Sequence, residues 1–239
     1  MSDMSFSDIA PYYDALYVRP DMYRIEAGAV DRILKRHGRS RGVRLLDVAC
    51  GTGGHVPFLK DRYEVEGLDL SEDMLRIARK NFPDIPFHLA DMTDFSFDAS
   101  YDAIICMYGG IGFTGTPEAA RRAVASMKRH LATGGVLVLV PWMTKETFHD
   151  ALVVDAVNRP EIGIARMENV RRKSEGVVEV SFHHLIGQNG QVRYHTQTMD
   201  IGLFSEEEYV SFFRSAGLSL VERYTEPDIA MGAFVGRNG

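Results

Sequence analysis

The residues best placed to do chemistry form one run, Leu45-Leu46-Asp47-Val48-Ala49-Cys50-Gly51-Thr52-Gly53-Gly54. Glycine lets the backbone turn tightly and approach a ligand, because no Cβ intervenes. After a strand and before a helix, such a turn faces a ligand at the C-terminal edge of a parallel sheet. A second acidic residue, Asp69, follows Gly51 by 18 residues, in Gly67-Leu68-Asp69-Leu70-Ser71. A carboxylate there can accept hydrogen bonds from both hydroxyls of a ribose. A dinucleotide fingerprint needs a third glycine where Val56 stands, which disfavours an NAD-type pyrophosphate.

Other candidate groups are sparser. Cys50 and Cys106 lie in apolar surroundings with no metal-ligand spacing around them, and read as buried free thiols of a reducing compartment. His183 and His184 are adjacent, so in a strand they face opposite ways and build no metal site. Arg166, Arg171, Arg172 and Arg193 suit a diphosphate, or simply a solvated face.

Strand-like and helix-like segments that position these groups alternate through residue 141. Apolar runs at Val43–Ala49, Glu64–Leu70, Phe87–Ala90, Tyr101–Met107 and Val136–Val140 read as strands. Ser71–Asn81 begins with a serine cap and two acidic residues. Pro117–Leu131 ends before Gly134-Gly135, a helix-stop signal. This alternation predicts an α/β fold, a Rossmann-like parallel sheet with helices on both faces. Val177–Ile186 and Gln191–Leu203 flank Gln188-Asn189-Gly190, a hairpin signal, and predict an antiparallel β insertion. Ser205–Ala216 reads as a capped helix, followed by closing strands at Leu218–Tyr224 and Ala230–Val235. The expected layout is an N-terminal helical lid (1–40), a cofactor-binding core (41–160), the β extension (161–203) and closing elements of the core (204–239).

Composition bounds the partners. The 239 residues carry a formal net charge of -6, which argues against a nucleic-acid backbone as partner. There is neither an apolar run long enough to span a membrane nor a basic-then-apolar start, so a cytoplasmic protein is expected.

The string Asp47-Val48-Ala49-Cys50-Gly51-Thr52-Gly53 resembles motif I of the class I S-adenosylmethionine-dependent methyltransferases. The resemblance implies that Asp47, Ala49, Gly51 and Gly53 hold the methionyl and ribose portions of that cofactor, and Asp69 the ribose. It places Asp91 and Met92 at the adenine, with Leu70 or Met74 on the ring's other face; Met74 serves equally as core packing. The fourth strand runs into Met107-Tyr108-Gly109-Gly110, where the reactive end of the cofactor meets the acceptor. Met107 is assigned to the cofactor there and Tyr108 to the substrate.

Further strings narrow the resemblance: Leu70-Ser71-Glu72-Asp73-Met74, His130-Leu131, Pro141-Trp142 and Phe234-Val235-Gly236. Together they look like the N,N-dimethyltransferases of dTDP-amino-sugar biosynthesis, of the desosamine and mycaminose type. That family implies a lid around Ala10-Pro11-Tyr12-Tyr13-Asp14, an added antiparallel sheet and a homodimer. By this resemblance Tyr13 is a candidate at the methyl-transfer end and Tyr23 at the cofactor carboxylate. His130 either orients the amine or caps its helix through backbone carbonyls. Trp142 either walls the sugar site or fills the core. The chain departs from the family at Tyr108-Gly109-Gly110, where an aromatic residue and two serines are usual, which bears on the choice of sugar. The expected function is N-methylation of a dTDP-linked amino sugar by direct transfer, with no metal. Alternatives are methylation of another small molecule, on oxygen or nitrogen, and non-catalytic binding of the cofactor.

Overall fold

The computed structural model describes residues 9–239, so the first part of the expected lid lies outside the described residues. The chain runs α1 (Ala10–Tyr17), α2 (Pro20–His37), β1 (Arg44–Val48), α3 (Val56–Leu59), β2 (Glu64–Asp69), α4 (Glu72–Asn81), β3 (Phe87–Leu89) and β4 (Tyr101–Cys106). A 3₁₀ turn (Gly110–Thr114) leads to α5 (Pro117–Arg129) and β5 (Leu131–Leu139). Then come β6 (Ala151–Arg159), β7 (Ile162–Ser174), β8 (Val177–Gln188), β9 (Gln191–Gly202), α6 (Glu206–Ser215), β10 (Leu218–Tyr224) and β11 (Ala233–Asn238).

Seven strands form one sheet in the order β10-β11-β5-β4-β1-β2-β3. β1 to β5 are mutually parallel, while β11 runs antiparallel between β5 and β10. The central strands are buried on both faces, which explains their unbroken apolar runs. Leu45, Ala103 and Ile105 pack under α2 with Val30 and Ile33. Leu46, Ile104 and Cys106 face the other way, toward α5 and α6. β1 pairs with both β2 and β4, so the winding reverses there, and the ends of β1, β2 and β4 open onto the crevice such sheets use for ligands.

Local signals account for most boundaries. The Ser71 hydroxyl accepts from the Met74 amide at the start of α4. Ser205 and Glu208 form a reciprocal capping box on α6. The β8–β9 turn has Asn189 at φ 53° and Gly190 at φ 73°, the pair of left-handed residues a tight hairpin requires.

The boundaries around β5 differ from the sequence reading. α5 ends at Arg129, not Leu131, because Leu131 already pairs with Tyr101 of β4. The glycines fall inside β5, where the pairing skips from Tyr101–Leu131 to Ala103–Val136. The second sheet, in the order β6-β7-β8-β9, starts at Ala151 rather than Glu161. β6 carries apolar residues on both faces, with Leu152 and Val154 exposed beside the inward Val153 and Val157, so no period-two contrast marks it. The last strand begins at Ala233 rather than Ala230.

Candidate active site

The glycine turn hangs from the end of β1 and is strapped to β2. Ala49, Gly51 and Gly53 all have positive φ, at 59°, 54° and 79°. The Gly51 amide donates to Asp69 Oδ2 at 2.8 Å, and the Ser71 amide donates to Asp69 Oδ1 at 2.9 Å. Each carboxylate oxygen therefore keeps a lone pair for a further donor. A Cβ added to Gly51 would meet no atom within 4 Å, so the turn has open space on its ligand side. Burial raises the Asp69 carboxyl above its ordinary pKa, while the Ser71 and Gly51 amides act against that rise.

Leu70 and Leu89 are exposed apolar residues at the ends of β2 and β3. Asp91, also exposed, accepts from the Thr93 amide at 2.7 Å, and Met92 is partly buried against the core. Met74 is only 3% exposed, while Leu70 is an outward-facing side chain at the end of β2. Met107 is buried in the cluster that includes Cys50, at the end of β4.

A second polar cluster lies behind the turn. Asp47, His55 and Glu26 are all buried, and His55 stands 3.9 Å from Asp47 Oδ2 and 3.3 Å from Glu26 Oε2. Burial pushes the Asp47 carboxyl up to about 6; nearby His55 acts against this and Asp69 adds to it. The Tyr23 ring lies 4.6 Å from that of His55 and 5.0 Å from that of Tyr108. Tyr108 takes φ 49°, a strained conformation for a non-glycine residue. Sequence reading found Asp47, Tyr23 and Tyr108 but missed Glu26 and His55. Glu26 lies mid-helix, and its approach to His55 is long-range, with no local pattern to signal it.

The helix α1 bridges the two sheets above this edge. Asp14 accepts from the Thr52 hydroxyl at 2.6 Å and from Asn81 Nδ2 at 3.3 Å, on the core side. On the other side the Tyr17 hydroxyl donates to Glu168 at 2.8 Å, and Arg19 pairs with Asp155 at 2.6 Å. Tyr13 sits between these attachments, its ring 4.8 Å from that of Tyr17. Burial, with Asp69, Asp14 and Glu168 nearby, pushes its hydroxyl up to about 12. It is therefore a hydrogen-bonding phenol rather than a proton acceptor near neutrality.

Trp142 is partly buried against the apolar cluster of the second sheet that includes Val170 and Val178. Gly109, at φ 71°, lets the chain pass it: a Cβ there would come within 2.7 Å of the Trp142 backbone nitrogen. The tryptophan thus packs at the joint between the sheets, beside the loop that carries Tyr108.

His130 is withdrawn as a catalytic candidate. It precedes β5, at the edge of the sheet opposite the glycine turn. It is 5% exposed and stacks on Phe95. Its Nδ1 donates to the Ser126 carbonyl at 2.8 Å and its Nε2 accepts from the Phe97 amide at 3.0 Å. Both ring nitrogens are thus committed to backbone. Arg166 is likewise not part of a solvated face, since its side chain is 10% exposed. No helix among the described residues is long and apolar enough to cross a membrane, and no cluster among them could hold a metal ion.

A parallel sheet with a glycine turn after β1, an acid ending β2 and one antiparallel strand, β11, set between β5 and the edge strand β10 defines a class I methyltransferase. Residues 45–135 match the model of the methyltransferase domain family. Over 96% of its length the chain is 37% identical to the dTDP-3-amino-3,4,6-trideoxy-alpha-D-glucopyranose N,N-dimethyltransferase of Streptomyces venezuelae, of which 97% is covered. It is 34% identical to the dTDP-3-amino-3,6-dideoxy-alpha-D-glucopyranose N,N-dimethyltransferase of Streptomyces fradiae, covering 97% of this chain and 91% of that one. A solved structure of a SAM-bound amino pentose methyltransferase from Micromonospora echinaspora superposes with a TM-score of 0.77 at 36% identity, covering 91% and 92% of the two chains. This chain belongs to the family of dTDP-amino-sugar N,N-dimethyltransferases. The resemblance read from its glycine turn and proline-tryptophan segment is borne out.

Proposed function

We propose that the protein methylates the amino group of a dTDP-linked deoxy-amino sugar, using S-adenosylmethionine as donor. The observation that carries this reading is the strap between Asp69 and Gly51 beside open space, with a second sheet standing over the same edge. The residues fit the donor. Asp69 has the two acceptor oxygens a ribose needs, Leu70 and Leu89 offer apolar surface near it, and the buried acids Asp47 and Glu26 suit an ammonium. When bound, S-adenosylmethionine supplies an activated methyl group on a sulfonium, with a neutral leaving group.

The chain's own task is alignment. Asp69 fixes the ribose and Asp91 and Met92 flank the adenine, while Asp47, Ala49, Gly51, Gly53 and Tyr23 seat the amino-acid end. Met107 and Tyr108 lie where donor and acceptor meet, and Trp142 walls the acceptor side. Tyr13, protonated at working pH, orients groups by hydrogen bonding, and α1 excludes water above it. The amine reaches the site with a free lone pair after losing its proton to solvent, so no buried base is assigned.

The assembly proposed is a homodimer in the cytoplasm. Across the outer face of the second sheet, Val154 pairs with Met167, and Leu185 pairs with Tyr194. All four are exposed, at 45–65%. A second copy is the occupant suggested, because one apolar face can meet itself about a two-fold axis.

The test is calorimetry with S-adenosylhomocysteine together with turnover of dTDP-3-amino sugars. Expected results are binding that weakens roughly 100-fold or more in Asp69→Ala, where two ribose hydroxyls lose their acceptor, and sugar products carrying added methyl groups. Unchanged binding in that variant would remove the donor site, and methylation of simple amines but of no dTDP-sugar would remove the acceptor.

A further inference from the structure

Among the described residues, two buried side-chain polar atoms have no hydrogen-bond partner: Arg166 Nε and His184 Nε2. They belong to residues directly opposite each other on β7 and β8. Side chains so paired share one face of the sheet, with Cβ atoms roughly 5 Å apart. His184 is 1% exposed and the Arg166 side chain 10%. An unpaired buried polar atom costs stability, so two side by side call for an explanation.

Their surroundings supply one. On the inner face of the second sheet, one apolar cluster, including Val178, Val180 and Phe182, packs on the joint at Trp142. A second, Ile164 and Ile186, packs on Leu16 of α1. Arg166, Glu168 and His184 interrupt the apolar surface between them, and the Arg166 guanidinium lies against the Tyr17 ring, which in turn stands 4.8 Å from that of Tyr13. The pair therefore lies on the face of the second sheet that α1 joins to the donor edge.

The charges around it define the ligand. Arg166 already pairs with Glu168 at 2.9 Å and with Asp155 at 3.5 Å, and Tyr17 covers its guanidinium at 4.6 Å. Its charge is compensated by two carboxylates, which would repel a diphosphate. The buried atoms left without a partner are its Nε–H donor and, beside it, one imidazole nitrogen. His184 is faced by Arg166 and by His195 across the strands. Burial, then Arg166, drives its pKa down to about 4, so the ring is neutral and able to accept a hydrogen bond.

The geometry points to Arg166 and His184 as a subsite for one neutral hydroxyl of the acceptor, which accepts from Arg166 Nε and donates to His184 Nε2. The hydroxyl is the neighbour of the amine on the side away from the anomeric carbon, since the carboxylates beside Arg166 disfavour the diphosphate end. The inference rests on the amino-sugar reading above. It sorts this chain with enzymes for 3-amino-3,6-dideoxy sugars, which keep that hydroxyl, rather than 3,4,6-trideoxy sugars, which lack it.

The experiment measures kcat/KM, and binding by calorimetry with S-adenosylhomocysteine present, for dTDP-3-amino-3,6-dideoxyglucose and its 3,4,6-trideoxy counterpart. Wild type is expected to prefer the hydroxylated sugar by ~100-fold, because the deoxy analogue leaves polar atoms unpaired. In His184→Phe that preference falls to within about twofold in both readouts, with S-adenosylhomocysteine affinity and unfolding temperature retained. Arg166→Lys, which keeps the charge between Glu168 and Asp155, serves as the second variant and is expected to lose the preference too. If wild type treats the two sugars alike, or both variants retain its preference, the subsite is overturned while the amino-sugar function stands. If neither sugar is bound or methylated, the function reading falls and the subsite with it.

Discussion

Single residues carry opposite lessons at the two ends of the sheet. His130 looked chemical because the resemblance placed a family histidine there, yet its neighbours make it a structural clamp. His130→Ala leaves the Phe97 amide and the Ser126 carbonyl unpaired in the interior. The expected cost is ~3 kcal/mol, lowering the unfolding temperature by roughly 6–12 °C. Turnover per folded molecule should stay within about twofold, and a collapse of kcat with intact S-adenosylhomocysteine binding would restore its catalytic role.

Asp47 shows the reverse. Its folded pKa of about 6 lies above the ordinary carboxylate value, so its ionisation is penalised by folding. Stability linked to it is fully present below about pH 4 and is lost as pH rises through 6. Asp47→Asn is therefore expected to gain relative stability across that window, by at most ~3 kcal/mol, while binding the donor more weakly. Thermal unfolding at pH 4.5 and pH 7.5 checks the first part and calorimetry the second. A stabilisation equal at both pH values would mean that burial does not set the shift.

Among the elements, legibility followed locality. The caps of α4 and α6 and the β8–β9 hairpin rest on contacts within a few residues, the glycine turn is spelled by a contiguous motif, and all stood in the sequence. β6 did not, because both its faces are apolar and its partner β7 is itself recognisable only once paired. The Glu26–His55 contact joins a helix to a loop 29 residues away, and no spacing rule reaches that far. The pairing of Arg166 with His184 likewise exists only through the register of β7 against β8. The short α1 is the element most open to test. Leu16, fully buried against Ile164 and Ile186, anchors it to the second sheet. Leu16→Ala should weaken that anchorage by about 2–4 kcal/mol, seen as faster proteolysis ahead of α2 and a raised KM for the sugar, with the main unfolding transition little changed. Unaltered proteolysis and KM would mean that α1 is held mainly by Asp14.

At the scale of the whole molecule, two sheets share one working edge but differ in their outer surroundings. The seven-stranded sheet is wrapped by helices, while the four-stranded sheet has its outer face uncovered by the rest of the described chain. Val154→Lys combined with Leu185→Lys puts charges on that face without touching the inner one. If copies of the chain meet there, light scattering should show the wild-type dimer replaced by monomer, with donor affinity intact. A variant that still dimerises would move the interface elsewhere.

One short helix is fastened to both bodies: by Asp14 to the donor side and by Tyr17, with Arg19 of the link that follows it, to the acceptor side. Exchanging spent cofactor for fresh then requires releasing fastenings that also confine the sugar. A clasp that must open for each exchange predicts distributive methylation, read as singly methylated sugar accumulating early in a time course followed by mass spectrometry; direct appearance of the doubly methylated product would show that the sugar stays bound.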